Sequence, residues 1–505
     1  MPDEPPIERR PQESERPEYP DAAQRPRVGV DTWVAEHGER VQRGPLRRAA
    51  ERVPGWARLL AFVAVAAVFP IAVDDEYLQR VGVDTLIFML LAVGLNVVVG
   101  YAGLLDLGYI AFFGFGAYTY AIVSSDKYDY HWPAEATIPF ILVVTAALGL
   151  LLGLPSRRLL GDYLAIVTLF FGQLFVTITN NSTDVKLPFM DRARDLTGGP
   201  NGITDLDPID FAGVELNSVP RYFWFALALF VLVVVALHFV NESRTGRAWR
   251  ALREDPLAAE AMTMPVNRLK LLAFAFGAAV AGVTGAIFAS LQTAVFPQSF
   301  DVSLLIILYA MVILGGTGSL AGVALGAIVV NVLLEGLTNT DDTLPVVGET
   351  PPRLLFYGLV AVGLALIVRP WRWLAVAAAA TIAFGFAARL VAEQWWERGT
   401  AGRPSQAGRI GDLVDGWLLF PRDPVDIGNY AFVALIASVL VLTLLRRPWR
   451  WIALAPVLYL AAFVWENRLI QEPSVTRFIL LGAILVGLMA SRPQGLFGTA
   501  RVEIA

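Results

Sequence analysis

The chain has 505 residues, 56% hydrophobic and 17% charged, with a formal net charge of −5 and a mean hydropathy of +0.56. Soluble domains are about half apolar and about a quarter charged, whereas here apolar residues fall in uninterrupted blocks such as YFWFALALFVLVVVALHFV at 222–240. A hydrocarbon core about 30 Å thick takes roughly 20 such residues per helix, so a soluble fold is excluded and an all-α, polytopic membrane bundle is expected. There is no cysteine, which excludes disulfides, thiolate metal sites and cysteine nucleophiles. His37, His131 and His238 lie in separate segments, so no metal and no cofactor are expected. The lysines, Lys127, Lys186 and Lys270, fall outside any GxxxxGK[ST] loop, which excludes ATP hydrolysis by a P-loop.

In chain order, residues 1–54 are rich in Pro, Arg, Glu and Asp with no apolar run, and predict a disordered tail. Hydropathy then predicts about 14 spans: 56–73, 82–100, 103–123, 137–154, 162–180, 221–240, 269–290, 304–318, 319–336, 353–369, 373–391, 430–445, 451–466 and 476–491. The pair 304–318 and 319–336 reads equally as one broken or re-entrant unit. With the first span starting in the cytoplasm, Arg157 and Arg158, Arg244 to Arg253, Arg369 and Arg372, and Arg446 to Arg450 all fall on cytoplasmic connections. The external connections are poor in basic residues, so the positive-inside bias places both termini in the cytoplasm. RLLFYGLVAVGLALIVRPWRW at 353–373 resembles RFILLGAILVGLMASRPQGLFG at 477–498. Either a tail hairpin is duplicated, or Arg-Pro-Trp simply stops a helix at the interface.

Three stretches stand out from this apolar background. The first, GLNVVVGYAGLLDLGYIAFFGFGAYTYAI at 94–122, is apolar enough for lipid yet carries Asn96, Asp106 and six glycines. Small residues allow close packing of membrane helices, and Asp106 could cap a helix at the interface. The other reading is a helix broken beside a polar path, with Gly100 and Gly103 at the break and Asn96 and Asp106 next to it. A second interrupted unit, Leu308 to Gly326, has Gly315, Gly316, Thr317, Gly318 and Ser319 at its centre, and paired broken segments are a pointer to a transport site. The second stretch, ESRTGRAWRALREDPLAAEAMTMPVNRLK at 242–270, gives on a helical period a small surface of Ala251, Leu252, Ala258, Ala259 and Met262. Arg250, Arg253, Glu254, Asp255 and Glu260 flank it. This is either a docking surface or a generic charged cytoplasmic helix. The third, DLTGGPNGIT at 195–204, is turn chemistry on an external loop.

Taken together, the first stretch, GDYLAIVTLFFGQ (161–173), LTGGPNGI (196–203), GRAWRALREDPLAAEAM with NRLKLLAFAFGAAVAGVTGAIFA (246–289), LGGTGSLAGVALGA (314–327) and RPQGLFG (492–498) resemble the LivM-type permeases. These are membrane subunits of branched-chain amino acid ABC importers, and the resemblance covers about 56–369 and 476–498 in family order. It implies a non-catalytic permease of a bacterial cell membrane, embedded in lipid and binding no nucleic acid. Its implied partners are ABC ATPase subunits, a LivH-type second permease and an extracytoplasmic solute-binding protein. The ATPases would dock on the 246–265 stretch, whose coupling residues would be Arg250, Arg253, Glu254, Asp255, Ala259 and Glu260. The implied organisation is a tail at 1–54, a permease core at 55–369 with its coupling loop at 241–268, an insertion at 370–475 and a terminal span and tail at 476–505. The insertion is read as carrying about four extra spans. Two departures stand out: family members usually have glycine where this chain has Thr263, and they lack the insertion. A urea or short-amide permease is the nearest alternative. A stand-alone secondary transporter lacks support because the spans hold no paired ionisable residues, and an embedded enzyme because they hold no clustered acid–base groups.

Overall fold

A computed structural model describes residues 55–156, 162–183, 185, 195–211, 213–338, 356–358, 360–361, 372–396, 414, 416–445, 447–469, 473–491 and 495. The expected tail at 1–54, most of the expected span 353–369, and RPQGLFG apart from Gly495 lie outside the described residues. The chain divides into two compact units, Met1–Val65 with Ala500–Ala505, and Ala66–Thr499. Of the first, only the opening of helix α1 (Gly55–Ala72) is described.

The second unit is built on two long, mostly buried helices. Helix α2 (Glu76–Asn96) starts where the Asp75 carboxylate accepts the Leu78 N–H at 3.0 Å, and it widens into a π turn at Val97–Tyr101. Helix α9 (Val266–Gln292) is the other. Around them lie α3 (Tyr109–Ser124), α4 (Ala134–Ser156), α5 (Asp162–Asn181), α6 (Val219–Glu242), α10 (Val302–Gly315) and α11 (Leu320–Thr338). The short amphipathic helices α7 (Arg244–Glu254) and α8 (Pro256–Ala261) sit between α6 and α9. Helix α9 packs on α3, α4 and α2, and α2 packs in turn on α11, α6 and α10. Lipid offers no hydrophobic gain to helices that meet inside it, so close backbone approach has to hold them together. At Gly116 of α3 any Cβ would collide with the Gly282 backbone of α9, so the sequence's small residues are used for packing at this crossing.

Among the described residues nine helices are long and apolar enough to cross a membrane, and four shorter apolar ones accompany them. Helix α3 has 16 residues, roughly 24 Å at 1.5 Å per residue. That falls short of a core about 30 Å thick, and residues 102–108, which precede it, are non-helical. The helices 302–315 and 320–338 are separate, turned at Gly316–Ser319 rather than fused into one span.

The segment 370–475, read from the sequence as carrying about four extra spans, is only partly among the described residues. Its described residues hold three long apolar helices, α12 (Arg372–Trp395), α13 (Pro424–Leu444) and α14 (Arg447–Val464, continued by a π turn at Trp465–Leu469). Helices α12 and α13 each pack on α14 around Leu418, Phe420, Tyr459 and Phe463. Trp465 stacks on Phe356, with ring centroids 4.2 Å apart, beside Leu333 of α11. The last helix, α15 (Pro473–Ser491), returns to α10 and α11.

At the end of the bundle where α3 finishes, the connections fold together. Strands β1 (Ile203–Thr204) and β4 (Ala294–Val295) pair antiparallel, with Ile203 opposite Val295, and β2 (Asp210–Phe211) and β3 (Val214–Glu215) form a hairpin.

Candidate functional site

The chain's three unusual stretches divide between the two ends of the bundle. At one end, α2 loses its regular ladder at the π turn, where Ala102 N–H bonds Val97 O at 3.1 Å and Leu104 N–H bonds Val98 O at 3.0 Å. Gly103 then takes φ +72°, a left-handed conformation that costs L-residues about 1–2 kcal/mol and glycine nothing. The second interrupted unit reaches the same place. Helix α10 ends at Gly315, Gly316 and Gly318 adopt φ +106° and +85°, and the Ser319 hydroxyl accepts the Gly322 N–H at 3.1 Å to start α11. Asn96 Oδ1 accepts the Gly318 N–H at 2.8 Å, so the two breaks are joined directly.

The third component is the α7–α8 element. The Ser243 hydroxyl caps α7, accepting from Thr245 N at 3.2 Å and Gly246 N at 3.4 Å. Trp249 Nε1 donates to Leu269 O at 2.9 Å and Leu252 is buried, which seats α7 on α9. Asp255 caps α8 by accepting from Leu257 N at 2.8 Å and Ala258 N at 3.1 Å. The far end of α8 closes in a Schellman motif: Met264 N–H bonds Ala259 O and Thr263 N–H bonds Glu260 O. That geometry needs a left-handed residue, and Thr263 stands there at φ +60°. The departure noted at this position in the sequence thus falls where glycine is favoured.

The residues singled out in the sequence are distributed as follows. Asn96, Gly100, Gly103, Gly315 and Gly316 gather around the two breaks. Arg253, grouped in the sequence with the coupling loop, reaches into that cluster: its Nη1 donates to Gly100 O and its Nη2 to Thr317 Oγ1 at 3.4 Å. Arg250, Glu254, Asp255 and Glu260 are exposed. Ala259 and Leu252, expected on the outward apolar surface, are 4% and 1% exposed and face inward. The outward apolar residues are instead Leu257 and Met262, each 73% exposed, together with Ala258. The helical period identifies a face but not which side it turns to the bundle.

Asp106 is fully buried. Its Oδ1 accepts the Gly108 N–H two residues on at 2.9 Å, an Asx turn rather than a cap on the first turn of α3. The Tyr309 hydroxyl accepts from Asp106 N at 3.1 Å and donates to Asp106 O at 2.7 Å, and Thr168 Oγ1 accepts the Leu107 N–H at 2.9 Å. Oδ2 has no hydrogen-bond partner among the described residues. Tyr309 was not singled out in the sequence, and Thr317 and Gly318 only as part of the interrupted run at 315–319. The Gly-Gly-Thr-Gly-Ser run was the only signal for the last two, and nothing local marks Tyr309.

At the opposite end, DLTGGPNGIT is held by Asp195. Burial acts to raise its carboxyl, but the Lys127 ammonium at 2.7 Å and the Gly198 and Thr197 N–H groups together hold it below the usual carboxylate range. Gly202, Thr204, Asp205 and Lys127 help line a cleft of about 540 Å³. His131 Nδ1 lies 2.6 Å from the Asp207 carboxylate, and its Nε2 lies 3.7 Å from Asp126 and from Asp129. This hydrogen bond to Asp207 and the neighbouring carboxylates raise the imidazole above its ordinary value.

Comparison with known proteins bears on both ends. Residues 77–344 match the family described as branched-chain amino acid transport system, permease component. The chain is 36% identical over 307 residues to the high-affinity branched-chain amino acid transport system permease protein LivM of Salmonella typhimurium, covering 56% of this chain and 69% of that protein. The same values hold for LivM of Escherichia coli. To the LivH permease protein of Salmonella typhimurium it is 26% identical over 178 residues, covering 35% of this chain and 54% of that one. No solved structure matches.

Proposed function

This chain belongs to the family of branched-chain amino acid transport system permease components, and from that premise we propose that it is one membrane half of a binding-protein-dependent ABC importer. The solute is leucine, isoleucine or valine. A second, LivH-type permease forms the other half, an extracytoplasmic binding protein delivers the solute at the end that carries the Asp195 and His131 loops, and both termini are cytoplasmic. Residues 55–369 with 476–491 form the permease core, and 370–475 is an added bundle. The chain itself performs no covalent step. Separate ATPase subunits dock on the α7–α8 element, and their closure moves the membrane helices. Asn96, Gly100, Gly103, Asp106, Gly315 and Gly316 border the inner end of the path.

One observation carries this reading. A short charged helix pair presents exposed Leu257 and Met262, with Arg250, Glu254 and Glu260 around them, at the end of the bundle where both membrane breaks meet. A small apolar anchor with a charged surround is the anatomy of a protein contact. The test is co-purification of the tagged chain from its own membranes, followed by uptake of labelled leucine with unlabelled valine or urea as competitor. Recovery of an ATPase and a second permease, with valine competing, is expected. Competition by urea alone would reassign the substrate, and recovery of no ATPase would remove the importer reading. Glu260→Lys should lower ATPase recovery with normal membrane levels.

A further inference from the structure

We propose that Arg253 is the positioning residue that transmits movement of the α7–α8 element to both interrupted membrane segments at once. This rests on the importer reading above, because it supplies the route for a force that a docked ATPase would apply.

A helix interrupted at membrane depth leaves carbonyls that must find partners. At the π turn, the carbonyl of Gly100 is met by Arg253 Nη1, across 153 positions of sequence. The same guanidinium holds Thr317 Oγ1 through Nη2 at 3.4 Å. Two glycines make room for this side chain, and a third lets the two breaks touch. A Cβ at Gly103 would stand 3.1 Å from Arg253 Cα and 3.2 Å from its Cβ. One at Gly318 would overlap the guanidinium itself, and one at Gly100 would fall 2.6 Å from the Gly318 nitrogen. Bulk is therefore absent where the arginine passes and where the two breaks touch.

The breaks are also tied to each other, through Asn96 Oδ1 and the Gly318 N–H at 2.8 Å. Arg253 thus grips a unit in which the end of α2 and the start of α11 move together. Its own base is firm. It lies in the last turn of α7, which Trp249 and Leu252 fix to α9, and its positive charge suits a helix C-terminus. A charged donor on a neutral carbonyl is a strong hydrogen bond, and arginine offers two donors in a rigid fork where lysine offers a single mobile ammonium. A tilt of α7 is then carried to both breaks together.

The test compares Arg253→Gln, Arg253→Lys and Thr317→Val with wild type in the full complex. Three readouts are needed: ATPase co-purification, ATP hydrolysis, and labelled leucine taken up per ATP hydrolysed. Arg253→Gln should keep ATPase recovery and hydrolysis while uptake per ATP falls roughly tenfold, the size of an ordinary coupling free energy. Arg253→Lys should restore part of the loss, and Thr317→Val should show a smaller fall of the same kind. Unchanged uptake per ATP in Arg253→Gln, or loss of ATPase recovery in place of uncoupling, would overturn the proposal. If Arg253→Gln fails to reach the membrane, wild-type uptake per ATP in Thr317→Val overturns it instead. An ATPase missing from the wild-type complex would be a failure of the importer reading, seen before any variant is compared.

Discussion

Thr263 and Asp106 show how single residues carry this fold in opposite ways. Thr263 occupies the left-handed position of a Schellman motif, where a β-branched residue is strained. Thr263→Gly should stabilise the end of α8 by about 1 kcal/mol, the relief of left-handed strain less the entropy glycine adds to the unfolded chain. Limited proteolysis of the 255–266 connection should slow, and faster cleavage would show that the strain lies elsewhere. Asp106 is buried, with one oxygen on Gly108 and the other unpartnered among the described residues. Asp106→Asn keeps Oδ1 as the acceptor and removes any charge, so uptake should stay near wild type. Asp106→Ala loses the turn, at a cost of about 1 kcal/mol plus the unmet Gly108 N–H. A dead Asn variant with normal insertion would give the carboxylate a direct part in transport.

Among the elements, the helices of 372–475 change how the chain must be dissected. Residues 372–475 contain three long apolar helices among those described, and three crossings reverse the side on which the chain emerges. Deletion of 372–475 should therefore turn an accessibility label at Gly498 outward. Deletion of 353–475 also removes the expected span 353–369 and restores parity, so the label should stay inside. The second deletion should also keep the packing of α15 on α10 and α11, because these helices meet without the bundle. At Gly495 a Cβ would fall 2.7 Å from Gly316 Cα, which places Gly495 against the α10–α11 turn. An inward label in the 372–475 deletion would require a further crossing outside the described residues.

Across the whole molecule, charge is arranged by end. The loops around α3's finish gather Asp126, Asp129 and Asp207 on His131, whose folded value is raised. A raised histidine contributes stability that is fully present below its unfolded value, about 6.5, and is lost as pH climbs through the folded value. Purified protein should accordingly lose thermal stability relative to His131→Gln as pH rises above about 6.5. The effect should be small, because the imidazole is exposed and water screens it. Parallel pH curves for the two proteins would show that the cluster does not couple to folding.

The membrane class, the apolar helices among the described residues and the interruptions inside them were legible locally in the sequence. Hydropathy is a sum over neighbours measured against a fixed bilayer thickness, and Asn-, Asp- and Gly-rich interruptions are visible inside an apolar run. What only the tertiary structure decided is which groups answer those interruptions. Gly100 O meets an arginine 153 positions away, Asn96 meets an N–H 222 positions away, and Tyr309 holds both backbone polar groups of Asp106. Ala259 and Met262 share a helical face pattern in the sequence, yet one is buried and the other is exposed. No local rule could assign these, because a polar group buried in a bundle is satisfied by whatever the packing of distant helices brings within hydrogen-bond reach.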